Sequence, residues 1–345
     1  MRSGIGHHGK VTLPPPDART GLAFHRLIFA RRRTGWWTPL AVLGLGGSFY
    51  FAMLLILMVG LVVYSLNDPT LLEKMAALAQ NPSFDLTDPV LVAVMLGSIA
   101  ILLPSYVLAS LIVNGGRLGL ISSAAGRLRW GWMLVCALVA LVWAAIITAL
   151  SMLLPADDAT TPPSENPQWI AALVVLLLLV PVQAAAEEYV FRGYLMQSIG
   201  RWLRHPAWAI LLPVPLFVFG HLYDAIGLTA VGVFAVAAGW LTWRTGGLEA
   251  AIALHVVNNL TSFLIQLAGG ADASASDQSI LSLVFAIVLV GGYVAIVEWI
   301  LRRRAQQGKP LPSTLVLTPP VAPPPVMPAP QWAPPQWQAG PPPTP

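Results

Sequence analysis

Eight apolar runs, at about 40–64, 90–113, 132–154, 169–190, 207–223, 228–243, 249–268 and 280–301, leave this chain few ways to fold. A helix that crosses a bilayer needs roughly 20 apolar residues, because in hydrocarbon the backbone must satisfy its own polar groups. The fifth and sixth runs are shorter and tightly joined. Charged residues make up only 10% of the 345, against about 25% in a soluble domain. The chain therefore reads as an all-α, polytopic membrane protein of about eight transmembrane helices.

The charges between the runs give an orientation. With the N-terminus inside and the helices alternating, Arg2, Lys10, Arg19, Arg26, Arg31, Arg32 and Arg33 fall inside, followed by Arg117, Arg127 and Arg129. Arg192, Arg201, Arg204, Arg244, Arg302, Arg303, Arg304 and Lys309 follow on the same side, which makes 18 of the 19 basic residues. Lys74 falls outside, among Asp68, Glu73, Asp85, Asp88, Asp157, Asp158, Glu165, Asp272 and Asp277. This bias predicts that both termini are cytoplasmic in a multi-pass protein of the cell membrane. It also accounts for the pI of about 9.5 without nucleic acid, because the basic residues flank apolar runs instead of forming a patch.

Three regions follow. Residues 1–35 are a basic cytoplasmic lead with no cleavable signal peptide expected, 36–304 the membrane domain, and 305–345 a proline-rich disordered cytoplasmic tail. From Pro310 onward the tail holds 15 prolines, Trp332 and Trp337, and no charge. Such a composition predicts an extended spacer, or a ligand for a proline-recognising partner. Cys136 is the single cysteine, which excludes an intrachain disulfide and a cysteine metal cluster.

Ionisable groups at membrane depth are costly and tend to mark function. Glu187 and Glu188 end the apolar stretch from Ile170 to Ala186, and Arg192 lies four residues beyond Glu188, on the same helix face. Glu188 and Arg192 thus read as a structural pair, with Glu187, about 100° away, free to face a cavity as a general base. The bland alternative is a helix end with ordinary ion pairs. His221 follows Phe217 by four residues, and Asn259 follows His255 by four. Of six histidines, only His221 and His255 sit in apolar segments. A carboxylate, two imidazoles and a carboxamide suit water activation and oxyanion stabilisation. Two histidines and a carboxylate are also the ligand types of catalytic zinc. Residue types leave both mechanisms open. Asp224, Glu249 and Glu298 read as structural, Glu249 at a helix N-terminus and Glu298 paired with Arg302.

Glu-Glu-x-x-x-Arg, Phe-x-x-x-His and His-x-x-x-Asn, in this order on three membrane segments, resemble the CPBP family of intramembrane proteases. That family includes type 2 CAAX prenyl proteases and the bacteriocin-processing or immunity (ABI) proteins. The resemblance covers roughly 169–268 and implies an eight-helix endopeptidase whose site opens to the cytoplasm. It implies that Glu187 activates water with His221, that His255 and Asn259 hold the scissile carbonyl or its oxyanion, and that Glu188, Arg192 and Phe217 support the site. The family is labelled metalloprotease, which implies zinc or another divalent ion on Glu187, His221 and His255; a metal-free glutamate mechanism is the alternative. The implied partners are the bilayer and a membrane-associated protein or peptide substrate. The competing functions are a catalytically silent immunity or scaffold protein that sequesters a peptide, and a proton-coupled transporter.

Depth poses one difficulty. At about 1.5 Å per residue, His255 lies roughly 10 Å from the cytoplasmic end of its helix and His221 roughly 20 Å. The two meet only if residues 205–212 are interfacial or Pro213 and Pro215 displace the helix start.

Overall fold

The computed structural model describes residues 20–80, 86–153, 166–269 and 279–317. Twelve helices are described: α1 (Thr38–Ser65), α2 (Thr70–Gln80), α3 (Pro89–Ala100), α4 (Leu102–Asn114), α5 (Trp130–Ser151), α6 (Trp169–Glu188), α7 (Met196–Trp202), α8 (Pro206–Leu211), α9 (Pro213–Phe219), α10 (Ala225–Thr245), α11 (Glu249–Leu267) and α12 (Ile280–Gln306). Seven helical stretches are long and apolar enough to cross a membrane: α1, α3 with α4, α5, α6 through α7, α10, α11 and α12. The chain is an all-α, multi-pass membrane protein.

The expected fifth span is the exception. Pro213 lacks the N–H that would continue the helix and Leu212 precedes it, so the segment breaks into α8 and α9 and ends at Phe219. Residues 220–224 are not helical. Pro206–Phe219 is thus a short apolar element, where a helix over 207–223 was expected.

The helices pack through small residues. The largest core contains Ala140, Ala144, Ala235, Ala238, Ala250, Ala251 and Ala253, which let α5, α10 and α11 approach closely. α11 packs on both α5 and α6, α3 on α6, and α1 on α4. Trp143 donates its indole N–H to the Leu289 carbonyl at 2.9 Å, and the Tyr293 hydroxyl donates to the Ala250 carbonyl at 2.9 Å, tying α12 into the bundle.

One end of the bundle is closed by a cap the sequence did not foretell. A two-residue strand β1 (Leu22–Ala23) pairs antiparallel with β2 (Thr314–Leu315), so both described chain ends meet at one end of the bundle. The 3-10 turn Phe24–Ala30 packs on α7. Leu22, Phe24 and Leu27 are buried with Leu120, Met196 and Leu248. Part of the basic lead is therefore core, because its apolar side chains have a surface to cover. The tail expected to be disordered from residue 305 begins as the end of α12 and then β2; residues 318–345 lie outside the described set.

The arginines assigned inside by counting hold this cap together by donating to carbonyls. Arg26 reaches Gly200 at 2.6 Å, Arg117 reaches Ala30 at 3.2 Å, and Arg201 reaches Thr34 at 2.6 Å. Arg31 serves the carbonyl of Ser110 in the last turns of α4 and those of Gly115 and Gly116 beyond its end. Burial among these neutral acceptors lowers its guanidinium to about 10.

The turn from α10 to α11 lies beneath the cap. Gly246 has φ +71°, and a side chain there would strike the backbone of Ser313. The Ala124 N–H donates to the Gly246 carbonyl at 2.8 Å, and the Leu248 N–H to the Ser122 carbonyl at 2.9 Å. Glu249, fully buried, is paired with Arg129 through Nη2–Oε2 at 2.6 Å and Nε–Oε1 at 2.9 Å. Its carboxylate does lie at a helix N-terminus, but an arginine far away in sequence is what holds it there. Glu298 likewise binds Arg302 and, in addition, Arg244.

Candidate active site

The site starts on α6. Pro181 lies inside this helix, and after Glu188 the chain loosens into a π-helical turn, Tyr189–Leu195. Such turns insert an extra residue and recur at functional sites. This one turns the buried Arg192 back onto α6, where its Nη1 donates to Glu188 Oε1 at 2.8 Å. Arg192 Nη2 donates to the Ala235 carbonyl at 3.1 Å, and its guanidinium stacks on the Phe217 ring 4.5 Å from the centroid. The expected Glu188–Arg192 pair is present, and it does more than was expected of it. Glu188 Oε1 also accepts from His255 Nδ1 at 2.8 Å.

That bond fixes the imidazole. With Nδ1 held by Glu188, Nε2 is the ring nitrogen left to face the site. Nε2 stands 3.5 Å from Glu187 Oε2, and the two motifs meet there. Phe234 and Phe217 wall the ring, at centroid distances of 4.9 and 6.0 Å.

Glu187 is held in place by the chain's own amides. It is 8% exposed, and its Oε1 accepts from Gln183 Nε2 at 2.9 Å. Gln183 Oε1 in turn accepts from Asn259 Nδ2 at 3.2 Å. Gln183 is the one polar residue in the run from Ile170 to Ala186, four residues before Glu187 and on its face. That spacing was the signal that could have found it.

His221 sits beyond the end of α9, with Nδ1 2.8 Å from the Phe217 carbonyl oxygen. Its ring packs on Phe217 at 4.9 Å. It makes no direct hydrogen bond to Glu187. His221, His255 and Asn259 nonetheless line one cavity of about 180 Å³, with Phe217, Tyr223 and Asn258. The two histidines meet in this cavity although they were counted at different depths, and the segment that leads to His221 is broken at Pro213. Asp224, read as a loop carboxylate, accepts from the Gly227 N–H at 2.7 Å and caps α10.

A second, apolar cavity of about 730 Å³ lies on the other face of α11, lined by Ile252, Ala253, Val256 and Val257 with Pro181 and Ala185. It shares no lining residue with the first. Among the described residues, no three His, Cys, Asp or Glu side chains come together to hold a metal ion. Glu187 stands beside His255, and both His221 and His255 are bonded through Nδ1, which leaves Nε2 of each ring for the site.

Residues 167–261 match the family model described as type II CAAX prenyl endopeptidase Rce1-like. This stretch of the chain is similar to that family. The Rce1-like match begins just before α6 and ends two residues past Asn259, so it spans the whole set of polar residues built above. The chain is also 32% identical over 100 residues to "Uncharacterized protein YyaK" of Bacillus subtilis (strain 168). That alignment covers 27% of this chain and 33% of the relative, so the chain spans about a third of the length of the curated protein it matches. No solved structure matches the chain.

Proposed function

We propose that this protein is an intramembrane endopeptidase that hydrolyses a peptide bond of a membrane-associated protein or peptide, of the CAAX type. The observation that carries this reading is the juxtaposition of Glu187 Oε2 and His255 Nε2 in a buried site, inside the Rce1-like match. Glu187 Oε2 is a buried acceptor without a hydrogen-bond partner among the described residues. A buried carboxylate oxygen that no protein donor satisfies suits a general base for water. Glu187 takes a proton from the water at Oε2 as the oxygen attacks the scissile carbonyl carbon. The second N–H of Asn259, a residue that lines the cavity, donates to the oxyanion, and His221 on the same wall orients the substrate. The proton on Glu187 then passes to the leaving amine as the C–N bond breaks. Glu188 and Arg192 keep His255 in its tautomer and the site in register.

The test is cleavage of a labelled membrane-peptide library by detergent-purified protein, beside Glu187→Ala and with and without chelator. Removing a general base costs about 10²–10⁴-fold in rate, so cleavage by wild type and its loss in Glu187→Ala is the expected result. Chelator sensitivity would assign the water activation to a metal. No cleavage by wild type, with peptide binding intact in Glu187→Ala, would replace the enzyme by a sequestering protein.

A further inference from the structure

We infer that Gln183 is a positioning residue that sets the direction of the Asn259 carboxamide from the state of Glu187. The inference rests on the reading of Glu187 as the base. The reasoning is one of donors and acceptors. An ionised carboxylate only accepts, so the amide of Gln183, 4% exposed, must turn its NH₂ toward Glu187 Oε1, 2.9 Å away. Its carbonyl then faces α11 and can only accept, which obliges Asn259 to present Nδ2, at 3.2 Å. Asn259 Oδ1 is thereby turned the other way, where it accepts from Asn258 Nδ2 at 3.3 Å. Each amide has one orientation that satisfies both neighbours, and the carboxylate chooses it.

Two consequences follow for the site. One N–H of Asn259 is spent on Gln183, which leaves the other for the cavity that Asn259 lines. A carboxamide rotated by half a turn would present oxygen there, which repels an oxyanion instead of binding it. The bond from Gln183 also keeps Glu187 Oε1 an acceptor, so that Oε2, the oxygen beside His255, is the one left to take a proton.

A glutamine that merely satisfies a buried amide would do none of this, and the two roles separate experimentally. Gln183→Leu keeps the approximate shape and removes both bonds; Gln183→Met serves if the leucine variant does not fold. On a peptide that wild type cleaves, Gln183→Leu should lower kcat roughly 10- to 100-fold, the equivalent of about 1.5–3 kcal/mol for a hydrogen bond to a charged group. KM should stay within about twofold, because a positioning role acts in the transition state. In an Asn259→Ala background the same substitution should cost at least about threefold less than in wild type, since the carboxamide it orients is gone and only its bond to Glu187 remains to be lost. An undiminished loss in that background overturns the inference.

A second readout needs no cleavage. In protein labelled with ¹⁵N-asparagine, with the Asn259 signal identified by its absence in Asn259→Ala, Glu187→Gln should shift the side-chain NH₂ resonance of Asn259. The shift should vanish when Gln183→Leu is added. A shift that survives in Gln183→Leu overturns the inference. If wild type cleaves nothing while the Gln183-dependent shift is present, the endopeptidase reading fails and the link from Glu187 to Asn259 stands.

Discussion

Removing the guanidinium of Arg129 should be among the most damaging single changes outside the active site. In Arg129→Met, Glu249 keeps the backbone N–H of residue 129, 2.8 Å from Oε1, but loses the two side-chain bonds that balance a fully buried carboxylate. Stranding one partner of such a buried pair costs about 3–5 kcal/mol. The carbonyls of Thr245 and Pro312 lose the same donor, Nη1, so the cap loosens as well. For a sizeable domain this corresponds to a fall in Tm on the order of 10 °C. The assay is thermal unfolding in detergent, followed by intrinsic fluorescence, of wild type, Arg129→Met, Glu249→Leu and the double variant. Replacing both partners by apolar groups removes the stranded charge, so the double variant should recover most of the loss. The reasoning fails if Arg129→Met changes Tm by less than about 2 °C, or if the double variant is no more stable than Arg129→Met.

Two further outcomes are expected. A Cβ added at Gly200 would strike the carbonyl of His25, so Gly200→Ala should lift the Phe24–Ala30 turn at a cost of about 1–3 kcal/mol. Trypsin cleavage after the buried Arg26 should then speed up roughly tenfold, and an unchanged cleavage rate would count against the packing described. At the far end of the bundle, burial raises the Asp88 carboxyl, but the Lys74 hydrogen bond and the N–H groups of Leu91 and Val90 outweigh it and hold the group below the ordinary carboxylate range. A depressed carboxylate contributes stability above its unfolded value of about 3.9, and that contribution fades as pH falls through the lower folded one. The Tm difference between wild type and Asp88→Asn should therefore shrink on acidification below about pH 4; a constant difference would refute the assignment.

What the sequence made legible was whatever depends on one segment at a time. The run at 132–154 became Trp130–Ser151, and that at 280–301 became Ile280–Gln306, because length and hydropathy alone set a spanning helix. The Glu188–Arg192 contact was legible for the same reason, as a matter of local spacing, even though the backbone there is π-helical. What stayed hidden depends on distant partners. Arg129 and Glu249 are 120 positions apart, and nothing in either neighbourhood names the other. The bond from His255 to Glu188 required knowing that α11 lies on α6. Gln183 was passed over for a different reason: a single amide in an apolar run looks like a tolerated exception until a carboxylate and a second amide are seen on either side of it.

The pairing of β1 with β2 has a consequence for how the chain is made. A ribosome delivers Leu22 and Phe24 long before Met196 and Leu248, against which they pack, and Thr314 emerges later still. Through most of translation the opening segment therefore holds apolar side chains with nowhere to go, a state that invites wrong partners. The cap closes only once α12 has been inserted and the strand behind it has reached the surface. A product that ends before Thr314 has its helices but lacks the pairing at the end of the bundle that covers the turn leading to His255.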